Sequence, residues 1–389
     1  VDDAIAAGVR NIVLFSSGYA ELGAAGAAAQ RQLAAKTKAA GIRVLGPNCL
    51  GMMNVANQVY ATFSPAPNAG RVPLGRIGLV SQSGAFGAYA YSMARERGIG
   101  LSHWVTTGNE VDVQVADCIA WMATDPATEV IMAYMEGCQD GPRLCAALQQ
   151  AQNQRKPVVM VKVGTTAIGA AATASHTASL AGDDAVYDAI FARYGVLRAQ
   201  TLTEFFDLAA SVSIAGIPHD NSIGLYTVSG GVGALMADAA SQQGMAVTEL
   251  SASAQATLRD WVPFCAPRNP VDITGQITND PSLIERSAAL MLADRPFGAW
   301  MGFMAAAGAS PAFWPVLTKL VASLKEQFPQ TVLAISTLLS PARRAELEAM
   351  GCLVFTDPSA GINTLASRAK WRHCFDTKSW RDTLSRLFT

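Results

Sequence analysis

Charge is scarce in this chain: only 15% of the 389 residues are Asp, Glu, Lys or Arg, and 29 basic against 30 acidic side chains leave a formal net charge of −1. That balance gives no electrostatic footprint for nucleic acid or an anionic membrane, so neither is expected as a partner. Cysteine is scattered and odd in number, with seven residues and no CxxC pair. A disulfide framework and a zinc site are therefore not expected, and a reducing cytoplasm fits. No apolar run approaches the length of a membrane span, and the start does not read as a signal peptide. Histidine is rare, with four residues at positions 103, 176, 219 and 373. What the chain has instead is bulk for burial, since half its residues are hydrophobic. Its length exceeds what one core usually holds, so two or three domains are expected. It opens at Val1 with the end of a helical pattern running into an apolar strand, and we expect sequence upstream of this point.

Short apolar runs alternate with alanine-rich helical stretches. Strands are predicted at Asn11–Phe15, Arg43–Leu45, Ile77–Ser81, Val130–Tyr134 and Pro157–Lys162, and then at Ile223–Val228, Ala299–Phe303, Thr331–Ile335 and Leu353–Phe355. Helical patterns include Ala20–Ala40, Gly87–Arg97, Gly141–Gln152 and Pro311–Lys325, the last with Ser310 as N-cap and Pro311 at the first helical position. Continuous apolar strands suit parallel sheets covered on both faces, and the strand-helix-strand order implies right-handed crossovers. The expected fold class is α/β, with tandem doubly wound parallel-sheet domains of Rossmann-like or flavodoxin-like type. Pro/Gly-rich seams before Ile77 and before Ile223 divide the chain into 1–72, 73–218 and 219–389.

Several loops carry residues that could do chemistry. Ser81-Gln-Ser-Gly-Ala-Phe-Gly ends a strand with small residues, so backbone amides at a helix N-terminus could face a phosphate at Ser81, Ser83, Gly84 and Ala85. An ordinary tight βα turn would read the same way. A hydrolase nucleophile elbow would need glycine where Ser81 and Ala85 stand. Gly230 and Gly231, in Ser229-Gly-Gly-Val-Gly, pose the same question. His176 sits in Ala174-Ser-His-Thr-Ala-Ser-Leu, after a run of residues too small to build a core. Its imidazole could attack phosphorus, although a histidine in such a setting is often structural. Glu136 ends an apolar strand, where a carboxylate could orient an imidazole or simply face solvent. In Gly46-Pro-Asn-Cys-Leu-Gly, Asn48 could bond an acyl or phosphoryl oxygen and Cys49 could line a thiol pocket; a Gly-Pro turn accounts for both equally.

Read together, these phrases resemble the ADP-forming acyl-CoA synthetases, relatives of succinyl-CoA synthetase. The signatures run in order: Arg43-Val-Leu-Gly-Pro-Asn-Cys-Leu-Gly, Gly78-Leu-Val-Ser-Gln-Ser-Gly-Ala, Thr107-Gly-Asn-Glu, Tyr134-Met-Glu-Gly, Lys156-Pro-Val-Val-Met-Val-Lys-Val-Gly, Ser175-His-Thr-Ala-Ser-Leu-Ala-Gly, Ser229-Gly-Gly-Val-Gly and Asn269-Pro-Val-Asp-Ile. The resemblance implies a ligase that passes a phosphoryl group from acyl phosphate to His176, with Glu136 as stabilising carboxylate, and then to ADP. It implies a phosphate cradle at Ser81, Ser83, Gly84 and Ala85, a second phosphate-directing helix at Gly230 and Gly231, and CoA or acyl contacts at Gly46, Asn48, Cys49 and Asn109. Coenzyme A, a carboxylic acid or its acyl-CoA, and phosphate are the implied substrates. ATP or ADP with Mg2+ would sit on an ATP-grasp domain or subunit that nothing after residue 357 resembles, and an oligomer is implied. Relatives carry a first CoA-binding strand before the point where Val1 stands. Many also have glycine where this chain has Ala178. Phe86 and Trp104 point to an acid larger than acetate. A non-catalytic acyl-CoA sensor of the same architecture is the competing expectation.

Overall fold

The strands form where β-branched and apolar residues run together, and helices connect most of them. In a computed structural model of the chain, residues 1–177 and 183–373 are described, without the side chains of 173–177, 276 and 373. The chain divides into two compact units, Val1–Ala209 and Ala210–Thr389.

Among its described residues the first unit has nine strands: β1 (Asn11–Val13), β2 (Arg43–Leu45), β3 (Gly51–Asn54), β4 (Val59–Thr62), β5 (Leu74–Ser81), β6 (Leu101–Thr106), β7 (Val130–Met135), β8 (Val158–Lys162) and β9 (Leu197–Arg198). β1 and β2 pair in parallel, connected through the helix Ala24–Ala39. The remaining seven form one sheet in the order β4-β3-β6-β5-β7-β8-β9. From β6 to β9 the neighbours are parallel, whereas β3 pairs antiparallel with both β4 and β6. The order β6-β5-β7-β8-β9 is the flavodoxin-like arrangement, whose topological switch point lies between β5 and β7. One face of this sheet is sealed by a core that includes Val80, Ile119, Met122, Ile131, Leu144, Leu148 and Phe191.

The second unit repeats the topology. Its strands β10 (Ile223–Thr227), β11 (Val271–Asp272), β12 (Ala299–Phe303), β13 (Val332–Ser336) and β14 (Leu353–Phe355) lie in the order β11-β10-β12-β13-β14, all parallel. Cores on both faces bury β10 and β12, with Tyr226 and Trp300 in one and Leu225 and Met301 in the other.

The expected class, tandem doubly wound α/β domains, is what the chain adopts. Details differ. The division expected at 72/73 falls within the first compact unit, where β3, itself paired with β4, hydrogen-bonds to β6. The helix expected from Pro311 begins instead at Trp314, after successive tight turns, and Pro315 occupies its first turn. Ser310 offers its backbone carbonyl to the Trp314 N–H rather than a side-chain cap.

Candidate functional site

In an open α/β sheet, ligands bind beyond the carboxyl ends of the strands at the switch point. In the first unit that position is occupied by the residues following β5 and β7. Ser81, fully buried, donates its hydroxyl to the Ser83 carbonyl at 2.7 Å and so shapes the turn. Ser83 caps the helix Gly84–Glu96, its Oγ accepting from the Phe86 N–H at 3.3 Å. The N–H groups of Gly84 and Ala85 have no partner among the described residues, as expected of a helix's first turn. Glu136 follows β7 and is buried.

Gln82, not among the expected site residues, links these two points. Its Oε1 accepts from the N–H groups of Glu136 (2.5 Å) and Gly137 (3.0 Å), while its Nε2 donates to the Gly137 carbonyl (2.8 Å) and to Glu110 Oε2 (2.8 Å). Glu110 was also missed as a site residue, although its motif was noted. It is buried in a left-handed conformation, φ 57°, and its Oε1 accepts from Thr107 Oγ1 (2.9 Å) and the Val115 N–H (2.7 Å). Burial pushes its carboxyl up to about 7, against the opposing pull of those hydrogen bonds. No local signal could have revealed that the two side chains meet, since their contact joins residues 28 positions apart.

The Gly46–Cys49 loop lies beside the Thr107–Glu110 turn. Gly108, at φ 60°, packs so closely that an added Cβ would fall 2.3 Å from the Pro47 carbonyl oxygen, which requires glycine there. The Asn109 N–H donates to the Pro47 carbonyl and the Val111 N–H to that of Gly46. Asn48 Nδ2 donates to Asn109 Oδ1 at 3.2 Å, and Asn109 Nδ2 donates in turn to Glu21 Oε2 and Gln30 Oε1. Burial would raise the Glu21 carboxyl, but donors from Asn109 and the Gly18 N–H hold it below the ordinary value. Asn48 and Asn109 are thus brought together, with Glu21 as an unanticipated anchor. Cys49 is different: its thiol is buried near the Leu14 and Leu45 carbonyls, and burial pushes it up to about 11. It stays a neutral, packed thiol.

Trp104 is wholly buried, donating to the Gly87 carbonyl, and belongs to the core rather than to an acyl pocket. Phe86 stacks on Tyr134 with ring centroids 4.0 Å apart. His176 lies in the last turn of the helix Ala167–Thr177, and its side chain is outside the described residues; Ala178 is outside them altogether. Of the other histidines, His103 is buried within β6 beside Trp121, and His219 bridges the Pro296 and Gln330 carbonyls.

In the second unit, Gly230 and Gly231 begin the helix Gly230–Gln242, which Ser229 precedes without a side-chain cap. Here a carboxylate intrudes: Asp272 Oδ2 is 3.1 Å from where a Gly230 Cβ would stand. Asn269 is structural, bonding Leu225, Ile223 and Thr248 backbone groups. Among the described residues, no cluster of three His, Cys, Asp or Glu could hold a metal ion, and no helix is long and apolar enough to cross a membrane.

Two domain models match the chain: the succinyl-CoA ligase like flavodoxin domain over residues 74–212 and the ligase-CoA domain over 223–352. The chain carries both of these succinyl-CoA ligase-type domains in tandem, and the relatives that share them are ADP-forming CoA ligases. It is 37% identical over 268 residues to the alpha subunit of acetate–CoA ligase [ADP-forming] I of Pyrococcus furiosus, an alignment covering 69% of this chain and 57% of that one. It is 36% identical over 269 residues to acetate–CoA ligase [ADP-forming] I of Archaeoglobus fulgidus, covering 69% and 38% respectively. The chain thus spans between about four-tenths and six-tenths of the length of these relatives. Among solved structures, it is similar to the dinucleotide forming acetyl-coenzyme A synthetase 1 of Ca. Korarchaeum cryptofilum in complex with phosphate and ADP. That match has a TM-score of 0.86 and 26% identity, and covers 98% of this chain and 81% of that one.

Proposed function

We propose that this chain is the acyl- and phosphoryl-handling part of an acid–thiol ligase. In the direction of ATP formation, an oxygen of inorganic phosphate attacks the thioester carbonyl, CoA leaves as the thiolate, and an acyl phosphate results. An imidazole nitrogen of His176 then attacks phosphorus, the carboxylate leaves, and the phosphoryl group passes on to a terminal oxygen of ADP. Ligation of the acid runs the same steps in reverse.

The observation that carries this reading is the convergence, at the topological switch point of the first unit, of an open helix N-terminus and the buried Glu136. Gly84 and Ala85 offer paired N–H donors to a phosphate or acyl phosphate, with Ser83 and Ser81 fixing the turn. Glu136 would accept from the imidazole and stabilise the positive charge that develops as the N–P bond forms. Asn48 and Asn109, with Gly46 and the packed Cys49 shaping their loop, would border the thioester. Gly230 and Gly231 would direct the phosphoryl group at the nucleotide end, where Asp272 would need a cation or hydroxyl between it and a phosphate. ATP or ADP with Mg2+ would be supplied by an ATP-grasp domain or subunit, in an oligomeric assembly in the cytoplasm.

The test incubates the full-length native protein with labelled phosphate and a panel of acyl-CoAs. Acid-labile, alkali-stable label mapped to His176 is the expected result, and the acyl-CoA that produces it names the substrate. Folded, CoA-binding protein that takes up no label would instead support an acyl-CoA sensor.

A further inference from the structure

We propose that Gln82 is the positioning residue that holds Glu136 in register for phosphoryl transfer, and that Glu110 fixes the Gln82 amide in turn. The proposal rests on the functional reading above. Its basis is the geometry of one side chain between two strand ends. β7 stops at Met135, so the Glu136 and Gly137 peptides have left the sheet ladder and need partners elsewhere. Gln82 supplies them from the neighbouring strand, accepting both N–H groups on Oε1 and donating Nε2 to the Gly137 carbonyl. Its own main chain is pinned as well: its N–H donates to the Tyr134 carbonyl at 3.1 Å, and its carbonyl accepts from the Gly108 N–H at 3.2 Å. One residue therefore ties together the turn after β5, the end of β7 and the Thr107–Glu110 turn.

The amide can sit only one way round. Flipping it would set two donors on Nε2 against the two N–H groups, and its oxygen against both the Gly137 carbonyl and Glu110 Oε2. Glu110 enforces this choice, because its Oε1 is already committed to Thr107 and Val115 and its Oε2 is left for Gln82. No hydrocarbon or carboxylate at position 82 could serve two donors and two acceptors at once. A displacement of about 1 Å in a catalytic group costs up to about 100-fold in rate, so loosening the Glu136 backbone should be felt in turnover rather than in binding.

The experiment compares wild type, Gln82→Met and Glu110→Gln in the full-length native protein. Single-turnover phosphohistidine formation is measured alongside hydrogen exchange of the Glu136 and Gly137 amides. Gln82→Met should slow phosphoryl transfer roughly 10- to 100-fold, leave KM for phosphate and acyl-CoA within about twofold, and speed exchange of those two amides. Glu110→Gln retains an oxygen for Thr107 and Val115 but sets its NH2 against that of Gln82, so it should give a smaller loss of the same kind. Wild-type turnover in Gln82→Met, or a loss residing in KM, would overturn the proposal. If wild type itself forms no phosphohistidine, the functional reading fails and the catalytic role of Gln82 with it. The exchange measurement separates the two ideas: unchanged exchange in Gln82→Met refutes the clamp whatever the activity.

Discussion

From the last residue of β5 the chain reads Ser81-Gln-Ser-Gly-Ala-Phe-Gly, and from the last residue of β10 it reads Thr227-Val-Ser-Gly-Gly-Val-Gly; both lead into helices of 13 residues. The opening hydroxyl does the same work in each, Ser81 bonding the Ser83 carbonyl and Thr227 the Ser229 carbonyl. The second position separates them. Gln82 reaches sideways to Glu136, Gly137 and Glu110, whereas Val228 packs against an apolar core. Ser83 caps its helix and Ser229 does not, and only the second terminus has a carboxylate, Asp272, beside its first glycine. A shared turn scaffold thus fixes where a helix starts, and one variable residue decides whether that start is wired to the neighbouring strands.

The largest effect would break the comparison outright. His176→Asn should reduce phosphoryl transfer by orders of magnitude with an unchanged melting profile; residual label above roughly a few per cent of wild type would remove the reason for treating the first terminus as a phosphate site. Next is the pH dependence peculiar to the first turn. Burial pushes the Glu110 carboxyl up to about 7 from an ordinary 4.5, so the native state keeps a proton that the unfolded chain has lost between those values. Stability should therefore fall as pH rises through that window, by up to about 3 kcal/mol, and then level off. Denaturant unfolding from pH 4 to 8 should show this slope shrinking in Glu110→Gln, and an identical slope in the variant would refute it.

Smaller effects sharpen the pairing of the two turns. An added Cβ at Gly87 would lie 2.5 Å from Thr106 Cγ2, and one at Gly233 would lie 3.0 Å from Thr227 Cγ2. Gly87→Ala should cost about 1–3 kcal/mol and Gly233→Ala less, as read by chemical denaturation. Smallest is the cap: Ser83→Ala should cost about 1 kcal/mol, while Ser229→Ala should be nearly silent in the same assay. Equal costs would mean that the two termini are held alike.

The doubly wound architecture was legible because buried parallel strands are continuous apolar runs, as at Ala299–Phe303 and Leu353–Phe355, whose bounds match the expected ones. β9 and β11 were not legible, being two residues each and defined by pairing alone. β3 and β4 lie between the Gly46–Gly51 turn and the seam that begins at Thr62, where no strand was expected, and only their pairing with each other and that of β3 with β6 makes them strands. The Ser/Gly turns announced themselves through composition. Gln82 and Glu110 did not, because a glutamine in a loop and a glutamate after a Gly-Asn pair look solvated until their partners, 28 and 54 residues away, are in place.

The β3–β4 hairpin has a further consequence for anyone who would dissect the chain. A fragment starting at residue 73 would leave β6 with an open row of backbone N–H and C=O groups where Gly51–Asn54 now pair with His103–Thr106. Such a bare margin is a template for pairing with a second molecule. The hairpin therefore covers an edge that could otherwise template self-association, and the first compact unit includes residues that precede the flavodoxin-like strands.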